Sequence, residues 1–340
     1  MYNTSCIGML MMLLREAMPA MKKLLRVLLV LALLALLVLL VPAATPLALG
    51  EGAPHPTYVP VTLRAAEVTP ISYEDKVPYA PIPDSYLPDG AGYLDPTISV
   101  KVEYTRAYDT TVQLVWVQIA DASQLRAKLA NPYPRKSWVR PDVIAKRVSA
   151  VLAFNDDWFM NRNVGYIVRN GEELRNNPSE GYDTLIIDDQ GDLHIIQKPT
   201  KEKIDAFEGK VIHALSFGPG LVIDGVQQTE FVSDRSDVLH EIASERVAQR
   251  LAFCQVDKLS YLIVATEGPE NKGSVGLTIP QFAQLCGELG VQQAFNLDGG
   301  SSSSVILDYK KINSVSTGKI RSIGGVMYFV TADPTVPRED

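Results

Sequence analysis

The chain has 340 residues, with 32 Lys and Arg against 39 Asp and Glu and a formal net charge of -7. Beyond residue 50 there is no basic stripe to neutralise phosphates, so composition excludes nucleic acid as a partner. Only Cys254 and Cys286 follow the first 50 residues, each among apolar neighbours, which predicts two buried free thiols rather than a disulfide or a metal pair.

The N-terminal segment has the layout of an export signal. Three basic residues, Lys22, Lys23 and Arg26, precede an apolar run over 27–41, and the small residues Pro42, Ala43 and Ala44 follow it. Residues 1–50 are therefore predicted to be a signal peptide or an N-terminal membrane anchor. The apolar run is short for a membrane span of about 20 residues, but the second alternative stays open because Leu24 and Leu25 could extend it. Either way, the protein is expected to be secreted or held outside the cytoplasm by a membrane anchor.

The rest of the chain divides at changes in proline content and periodicity. Residues 51–96 are rich in proline and are predicted to be a spacer that partly wraps the following domain. Residues 97–332 are predicted to form the catalytic domain, and residues 333–340 a loose tail. Alternating and apolar runs predict strands at 98–104, 112–119, 150–155, 165–169, 185–188, 193–196, 211–217, 221–223, 247–256, 259–266, 293–297 and 325–331.

The sequence predicts fewer helices than strands. They are predicted near 121–130, near 141–148 and at 279–289, where Thr278 and Gln281 have capping-box spacing and Gly290 ends the apolar periodicity. The segment 185–196 is predicted to be a hairpin, and 211–223 a second hairpin-like pair. The expected fold class is α+β: a single domain with a mixed, largely antiparallel sheet and a few packed helices.

The most informative motif is the segment AFNLDGGSSSSVIL at 294–307, called here the glycine loop. An apolar run leads to Asn296 and Asp298, and a second apolar run leads away. Between two buried strands such a segment becomes a turn where glycine lets a ligand approach the main chain. A Ser-rich linker is the alternative, but linkers are not usually enclosed by apolar strands. The prediction is a functional loop in which Asn296, Gly299, Gly300, Ser301 and Ser302 bind substrate beside Asp298.

Other polar islands interrupt apolar strands. Asn155, Asp156 and Asp157 follow a buried strand, where adjacent carboxylates need a ligand, a cation or an arginine unless the segment is a solvated turn. Ser216 and Gly218 belong to a Gly-Pro-Gly turn that either lines a pocket or is turn chemistry alone. Two arginines complete the set, each of which either binds phosphate or forms a structural ion pair: Arg250 and Arg321.

Standard hydrolase machineries are missing from the sequence. No G-x-S-x-G elbow is present, and the four histidines lack metal-ligand spacing. His194 is expected to be a strand residue, whereas His213 is left open between a structural and a functional role. Chemistry is therefore expected from Asp, Asn, Arg and backbone groups.

Four segments in this order resemble the phosphodiester glycosidase family: SFGPGLVIDG, the Arg250 strand, TIPQFAQLCGELGVQQAFNLDGGSSSS and IRSIGGVMYF. The resemblance covers about residues 97–332, and the helix with its NLDGG sequence is the specific part. The family usually has Asn-Gly-Asp or Asn-Gly-Gly in the first island, whereas Asp156 stands here in place of the glycine. Ser301 stands where a third loop glycine is common, and Leu251 where the family often has threonine.

The resemblance implies hydrolysis of sugar-1-phosphate diester linkages in extracellular or cell-envelope glycans. It implies catalytic roles for Asp298, Asp157, Arg250 and Arg321, with the arginines on the phosphate and a carboxylate at the sugar. Asn155, Ser216 and Gly218 join the glycine loop in binding the substrate.

Further expectations concern a metal ion, the binding partner and rival functions. A secondary hypothesis places Ca²⁺ or Mg²⁺ between Asp157 and Asp298, because both offer oxygen ligands. The expected partner is a phosphorylated glycan or a sugar phosphate, with no nucleic acid, and the N-terminal apolar segment is a candidate membrane tether. The rivals are a catalytically silent glycan-binding domain and a phosphodiesterase that breaks the phosphorus–oxygen bond.

Overall fold

Strands dominate the structure, a computed structural model that describes residues 55–61, 63, 68–74, 76–231, 245–314 and 318–338. The expected export signal in residues 1–50 lies outside these ranges. Within them, no helix combines the length and apolar character needed to cross a membrane.

The secondary structure follows the predicted order, with more strands than the sequence indicated. Three α-helices are described: α1 (Pro141–Arg147), α2 (Lys201–Asp205) and α3 (Ile279–Glu288). The strands in chain order are β1 (Gly92–Leu94), β2 (Ile98–Ala107), β3 (Thr110–Ile119), β4 (Leu125–Leu129), β5 (Leu152–Asn155), β6 (Gly165–Arg169), β7 (Glu172–Asn177), β8 (Asp183–Asp188), β9 (Leu193–Ile196), β10 (Val211–Phe217), β11 (Gly220–Ile223), β12 (Val226–Gln227), β13 (Leu251–Asp257), β14 (Ser260–Thr266), β15 (Gln293–Leu297), β16 (Val305–Leu307), β17 (Lys310–Lys311) and β18 (Gly325–Phe329).

These strands form three sheets in the described part of the chain. The largest has the order β1-β2-β3-β14-β13-β15-β11-β12, and the two five-stranded sheets have the orders β7-β6-β10-β8-β9 and β17-β16-β5-β18-β4. Every strand pair among them is antiparallel. The α+β expectation with few helices agrees with this, but one mixed sheet is wrong. Short turns such as Tyr108–Asp109, both left-handed, return the chain next to the strand it has just left.

One hydrophobic core joins the three sheets. Phe154 on β5, Phe253 on β13 and Leu215 on β10 are fully buried in it, and the ring centroids of Phe154 and Phe253 lie 4.9 Å apart. An aromatic contact at this distance fixes the sheets of β5 and β13 against each other. The glycine loop runs between β15 of the largest sheet and β16, which pairs with β5. The ends of β5 and β15 are therefore held in one region.

Helix α3 confirms the capping-box prediction. The backbone N–H of Gln281 donates to Thr278 Oγ1 at 3.3 Å, and the reciprocal bond from the Thr278 N–H to Gln281 Oε1 is 3.0 Å. Its apolar residues cover the outer face of the largest sheet, where Cys254 and Cys286 lie buried and free, as predicted.

The helix expected near 121–130 is wrong. Asp121 caps a single 3₁₀ turn (Ala122–Gln124), and the chain then enters β4, which pairs with β18. Leu125 and Ala127 point into the core with a period of two residues, and this pairing with a strand about 200 residues away outweighs local helix propensity.

The hairpin at 185–196 is confirmed as β8 and β9, but the hairpin-like pair at 211–223 is wrong. Strand β10 pairs with β6 and β8, whereas β11 pairs with β12 and β15. The Gly218–Pro219 peptide is cis and lies where the chain passes from one sheet to another. The turn therefore connects sheets rather than neighbouring strands.

The described parts of the expected spacer and tail are bound to the sheets. The Tyr58 hydroxyl donates to Ser260 Oγ at 2.7 Å, and β1, which falls within the expected spacer, pairs with β2. The expected loose tail differs from the structure, because the N–H of Arg338 donates to the carbonyl of Pro78 at 2.9 Å. Backbone pairing with the spacer holds the tail as far as residue 338.

Candidate active site

The glycine loop packs against the backbone of the segment that leads into β13. A Cβ atom added at Gly299 would lie 2.4 Å from the carbonyl oxygen of Gln249, so no side chain fits there. The N–H of Gly300 donates to that same oxygen at 2.8 Å, and Gly300 has a left-handed φ of 55°. A 3₁₀ turn at Gly300–Ser302 follows and leads into β16. The two glycines thus allow the loop to turn tightly at the end of β15.

Asp298 lies at the start of this loop, partly exposed. Burial raises the pKa of its carboxyl to about 6. The Ser302 hydroxyl and the guanidinium groups of Arg321 and Arg162 lower that pKa, and the charge of Asp157 raises it. The Ser302 hydroxyl approaches the carboxylate outside the geometry of a regular hydrogen bond. Asp298 is therefore a carboxylate with two nearby cations that can change protonation near neutral pH.

Asn155 joins the first island to the glycine loop. Its Nδ2 donates to the carbonyl oxygen of Asp298 at 2.8 Å, and its Oδ1 accepts from the N–H of Ser304 at 2.9 Å. The side chain is 1 % exposed. In this structure Asn155 fixes the backbone on both sides of the loop, so it positions Asp298.

Asp157 lies beneath the loop and is completely buried. Its Oδ1 accepts from Arg169 Nη2 at 2.6 Å, and its Oδ2 accepts from the N–H of Ser216 at 2.7 Å. Because both oxygens are engaged and shielded, the carboxylate is placed to hold β6 and β10 together rather than to attack a substrate.

The Gly-Pro-Gly turn is tied to the glycine loop by Asn296. Its Nδ2 donates to the carbonyl oxygen of Gly218 at 2.8 Å, while its Oδ1 is buried and has no hydrogen-bond partner among the described residues. Ser216 is also buried, and its hydroxyl contacts Thr184 and the carbonyl of Tyr166 at 3.0 and 3.1 Å. Ser216 and Gly218 thus support the loop from below.

The two arginines predicted from sequence lie differently. Nη1 of Arg321 donates to Ser301 Oγ at 3.0 Å on the exposed side of the loop. Arg250 is buried, and its guanidinium donates to the carbonyl oxygens of Leu277 at 3.0 Å and Arg246 at 2.6 Å. Burial lowers the pKa of Arg250 to about 10. The structure therefore brings Asp298, Ser301 and Arg321 together. The contacts of Arg250 with Leu277 and Arg246 place its side chain among main-chain carbonyls.

The comparisons with known proteins agree with this arrangement. The model of the phosphodiester glycosidase family matches residues 148–330, which is more than half of the chain and includes every candidate residue above. The chain belongs to the phosphodiester glycosidase family. Comparison of the sequence with curated proteins gives no significant match.

Solved structures show the same fold. The catalytic domain of the zebrafish N-acetylglucosamine-1-phosphodiester alpha-N-acetylglucosaminidase, auto-inhibited by its pro-peptide, aligns with a TM-score of 0.59 and 16% identity over 74% of this chain and 86% of that chain. A hypothetical protein from Synechocystis aligns with a TM-score of 0.51 and 16% identity over 68% of this chain and 62% of that chain. At these identities the likeness describes the fold.

Asp156, which stands where the family usually has glycine, is accommodated by a second glycine. A Cβ atom at Gly325 would lie 2.5 Å from Asp156 Oδ2, so the carboxyl fills the space that Gly325 leaves. The side chain is 2 % exposed, and Oδ2 has no hydrogen-bond partner among the described residues. Burial, followed by the charge of Asp157, raises the pKa of Asp156 to about 7. The substitution therefore adds a buried acid and no accessible side chain.

This acid predicts a pH-dependent stability. The folded-state pKa is above the ordinary value of 3.8, so the folded protein binds an extra proton between about pH 4 and pH 7, and its stability falls as the pH rises through that window. Asp156→Asn is expected to be more stable than wild type at pH 8 and to lose much of that advantage at pH 4, measured by urea unfolding. The exposed Asp257→Asn provides the matched control. A stability difference between wild type and Asp156→Asn that does not grow with pH would show that Asp156 is ionised in the folded protein.

Sequence reasoning missed two arginines, Arg162 and Arg169. Both are more than nine-tenths buried and lie 5 and 12 residues after Asp157. The signal was the pair of adjacent carboxylates after a buried strand, which needs cations nearby. Both arginines follow that pair closely in sequence, but only the fold shows that Arg169 pairs with the Asp157 carboxylate whereas Arg162 donates to main-chain carbonyls.

The hypothesis of Ca²⁺ or Mg²⁺ between Asp157 and Asp298 fits poorly with the donor set. The oxygens of Asp157 are engaged by Arg169 and Ser216, and the described residues contain no group of three or more His, Cys, Asp and Glu that could hold a metal ion. A cation would need several open oxygen ligands.

Proposed function

We propose that this protein is an exported hydrolase that cleaves sugar-1-phosphate diester linkages in extracellular or cell-envelope glycans. The observation that supports this most is the placement of a partly exposed carboxylate, that of Asp298 on the glycine loop, near the guanidinium of Arg321. The zebrafish relative is named as acting on an N-acetylglucosamine-1-phosphodiester. The export signal expected in residues 1–50 supports the compartment.

The chemistry needs one carboxylate and a cation for the leaving group. Asp298 stabilises positive charge at the anomeric carbon, attacks it, or activates a water that does so. The bond from that carbon to the bridging oxygen breaks, and its electron pair stays on the phosphate, whose charge grows from one to two. Arg321 stabilises that growing charge. Because a phosphate monoester is a good leaving group, no strong general acid is needed at the bridging oxygen.

The family departure at Asp156 does not favour a silent glycan-binding domain. The Asp156 carboxyl is packed against Gly325 and is 2 % exposed, so it occupies no space above the glycine loop. Asp298, Ser301 and Arg321 remain arranged around that space. Turnover is therefore expected in addition to binding.

The test of the proposal compares pairs of substrates whose members differ only in the phosphate group. Purified protein is expected to release free sugar from a panel of sugar 1-(methyl phosphate) diesters, including that of N-acetylglucosamine, and to leave the corresponding methyl glycosides intact. Binding of the diesters by calorimetry without any release of sugar would support the glycan-binding alternative instead.

The pH dependence tests the role of Asp298. In each of the three roles above the ionised carboxylate is the active form, and burial raises the pKa of Asp298 to about 6. The value of kcat/KM is therefore expected to rise with pH through about 6 and to level off above it. Initial rates at substrate concentrations well below KM give this profile. A profile that instead falls through pH 6 would mean that the protonated acid is the working form.

A further inference from the structure

Arg162 is a buried cation without a buried anion to match it. It follows the 3₁₀ turn Phe159–Asn161 and is 7 % exposed. Its Nη2 donates to the carbonyl oxygens of Asp157 at 2.5 Å and Ser216 at 2.6 Å, and its Nε is buried with no hydrogen-bond partner. Within the described ranges, no carboxylate oxygen lies within 4.0 Å of its guanidinium. Carbonyl oxygens are neutral, so the charge of Arg162 is left without a direct ion pair.

Two aromatic rings fix the guanidinium in place. It lies 4.3 Å from the ring centroid of Tyr182 and 5.3 Å from that of Phe217. Rings at these distances stabilise a cation and restrict its plane, but they do not neutralise it. Like Nε, Nη1 makes no hydrogen bond to the described residues, but unlike Nε it is not completely enclosed. One end of the fork is thus locked, and the other keeps open donors.

The surrounding charges leave a positive excess at this place. The carboxylate of Asp157 is engaged by Arg169 and by a backbone N–H, so it is already paired. Asp298 lies close enough for the charges of both Arg162 and Arg321 to act on its carboxyl. Three guanidinium groups therefore share the two carboxylates of Asp157 and Asp298, and the third nearby carboxyl, that of Asp156, is buried and resists ionisation.

We propose that Arg162, whose guanidinium is held by the rings of Tyr182 and Phe217, binds the anionic phosphate of the substrate beside Asp298. This rests on the proposed function and deepens it by naming the residue that distinguishes a phosphodiester from a neutral glycoside. The pairing of a buried fork with phosphate oxygens uses the open donors of Nη1 and supplies the missing counter-charge. Arg321, which is exposed and donates to Ser301 of the glycine loop, then contacts the same anion from the solvent side.

The experiment uses inorganic phosphate as the probe, so that it does not depend on turnover. Phosphate is added to the full chain, and its affinity is measured by calorimetry together with the rise in Tm that it causes. Wild type is expected to bind phosphate, and Arg162→Met is expected to lose affinity on the order of 10-fold or more. Arg162→Lys keeps the charge but loses the fork, so its affinity is expected to lie between those two. Arg140→Met, which removes an exposed arginine paired with Asp142, is the matched control and is expected to behave as wild type.

The outcomes separate this inference from the proposed function. If phosphate binds and stabilises Arg162→Met as well as it does wild type, the role of Arg162 is overturned. If Arg162→Met does not fold, the same comparison is made with Arg162→Lys. Failure of wild type to bind phosphate would overturn that role too. Phosphate binding that depends on Arg162, in a protein that hydrolyses no sugar-1-phosphate diester, would support the anion site and contradict the hydrolase.

Discussion

Replacing Asp298 by asparagine is expected to lower kcat for a sugar-1-phosphate diester on the order of 10³-fold. Asparagine keeps the shape of the side chain and removes the negative charge that the anomeric carbon or the attacking water requires. The loop itself should persist, because Asn155 binds the carbonyl oxygen of residue 298 and not its side chain. Initial-rate measurements of sugar release give the comparison.

The control for this variant is the same substitution on the neighbouring strand. Asp257 is exposed at the end of β13, and Asp257→Asn should keep wild-type turnover. Because burial raises the pKa of Asp298, Asp298→Asn should also be at least as stable as wild type above about pH 6. Lost activity in a stable protein would locate the effect in the chemistry. Wild-type turnover in Asp298→Asn would remove this carboxylate from the mechanism.

The second large effect is expected on stability, in Arg169→Met. Arg169 is 5 % exposed, its Nη2 lies 2.6 Å from Asp157 Oδ1 and 3.9 Å from Asp156 Oδ2, and its Nη1 donates to the carbonyl oxygen of Ala214. Removing it leaves a buried carboxylate without a cation, which costs about 3–5 kcal/mol of unfolding free energy. Urea unfolding followed by circular dichroism measures the loss.

A surface ion pair provides the matched control for this variant. Lys201 and Asp205 form an exposed pair on α2, and Lys201→Met should change the unfolding free energy by less than about 0.5 kcal/mol. The double variant Arg169→Met with Asp157→Leu should recover part of the loss, since it removes the unpaired charge. If Arg169→Met were no less stable than Lys201→Met, the buried pair would not hold β6 and β10 together as its contacts indicate.

Local patterns in the sequence predicted the elements that frame the site. Helix α3 begins at the capping box of Thr278, and the glycine loop lies between two apolar strands, as its flanking residues indicated. The close approach expected at Gly299 was attributed to a ligand, whereas in the structure the carbonyl oxygen of Gln249 makes it. These features depend on neighbours in sequence or on a single adjacent strand.

The features that could not be predicted depend on distant pairing. Strand β4 reads as a helix locally and becomes a strand because β18 pairs with it. The residues 211–223 read as a hairpin, yet their two strands belong to different sheets. Arg162 and Arg250 illustrate the same limit at the site, because both are single arginines near apolar residues. Only the fold shows that Arg162 lies near Asp298 and that Arg250 donates to the carbonyl of Leu277.

The most direct test of the central claim is hydrolysis of a sugar-1-phosphate diester in ¹⁸O water. Attack at the anomeric carbon leaves the bridging oxygen on the phosphate, so mass spectrometry is expected to find the released phosphate monoester without ¹⁸O. The phosphate product decides the matter, since the anomeric hydroxyl of a free sugar exchanges with water. One ¹⁸O atom in the phosphate monoester would mean that the phosphorus–oxygen bond is broken, and it would contradict the assignment of Asp298 to the sugar carbon.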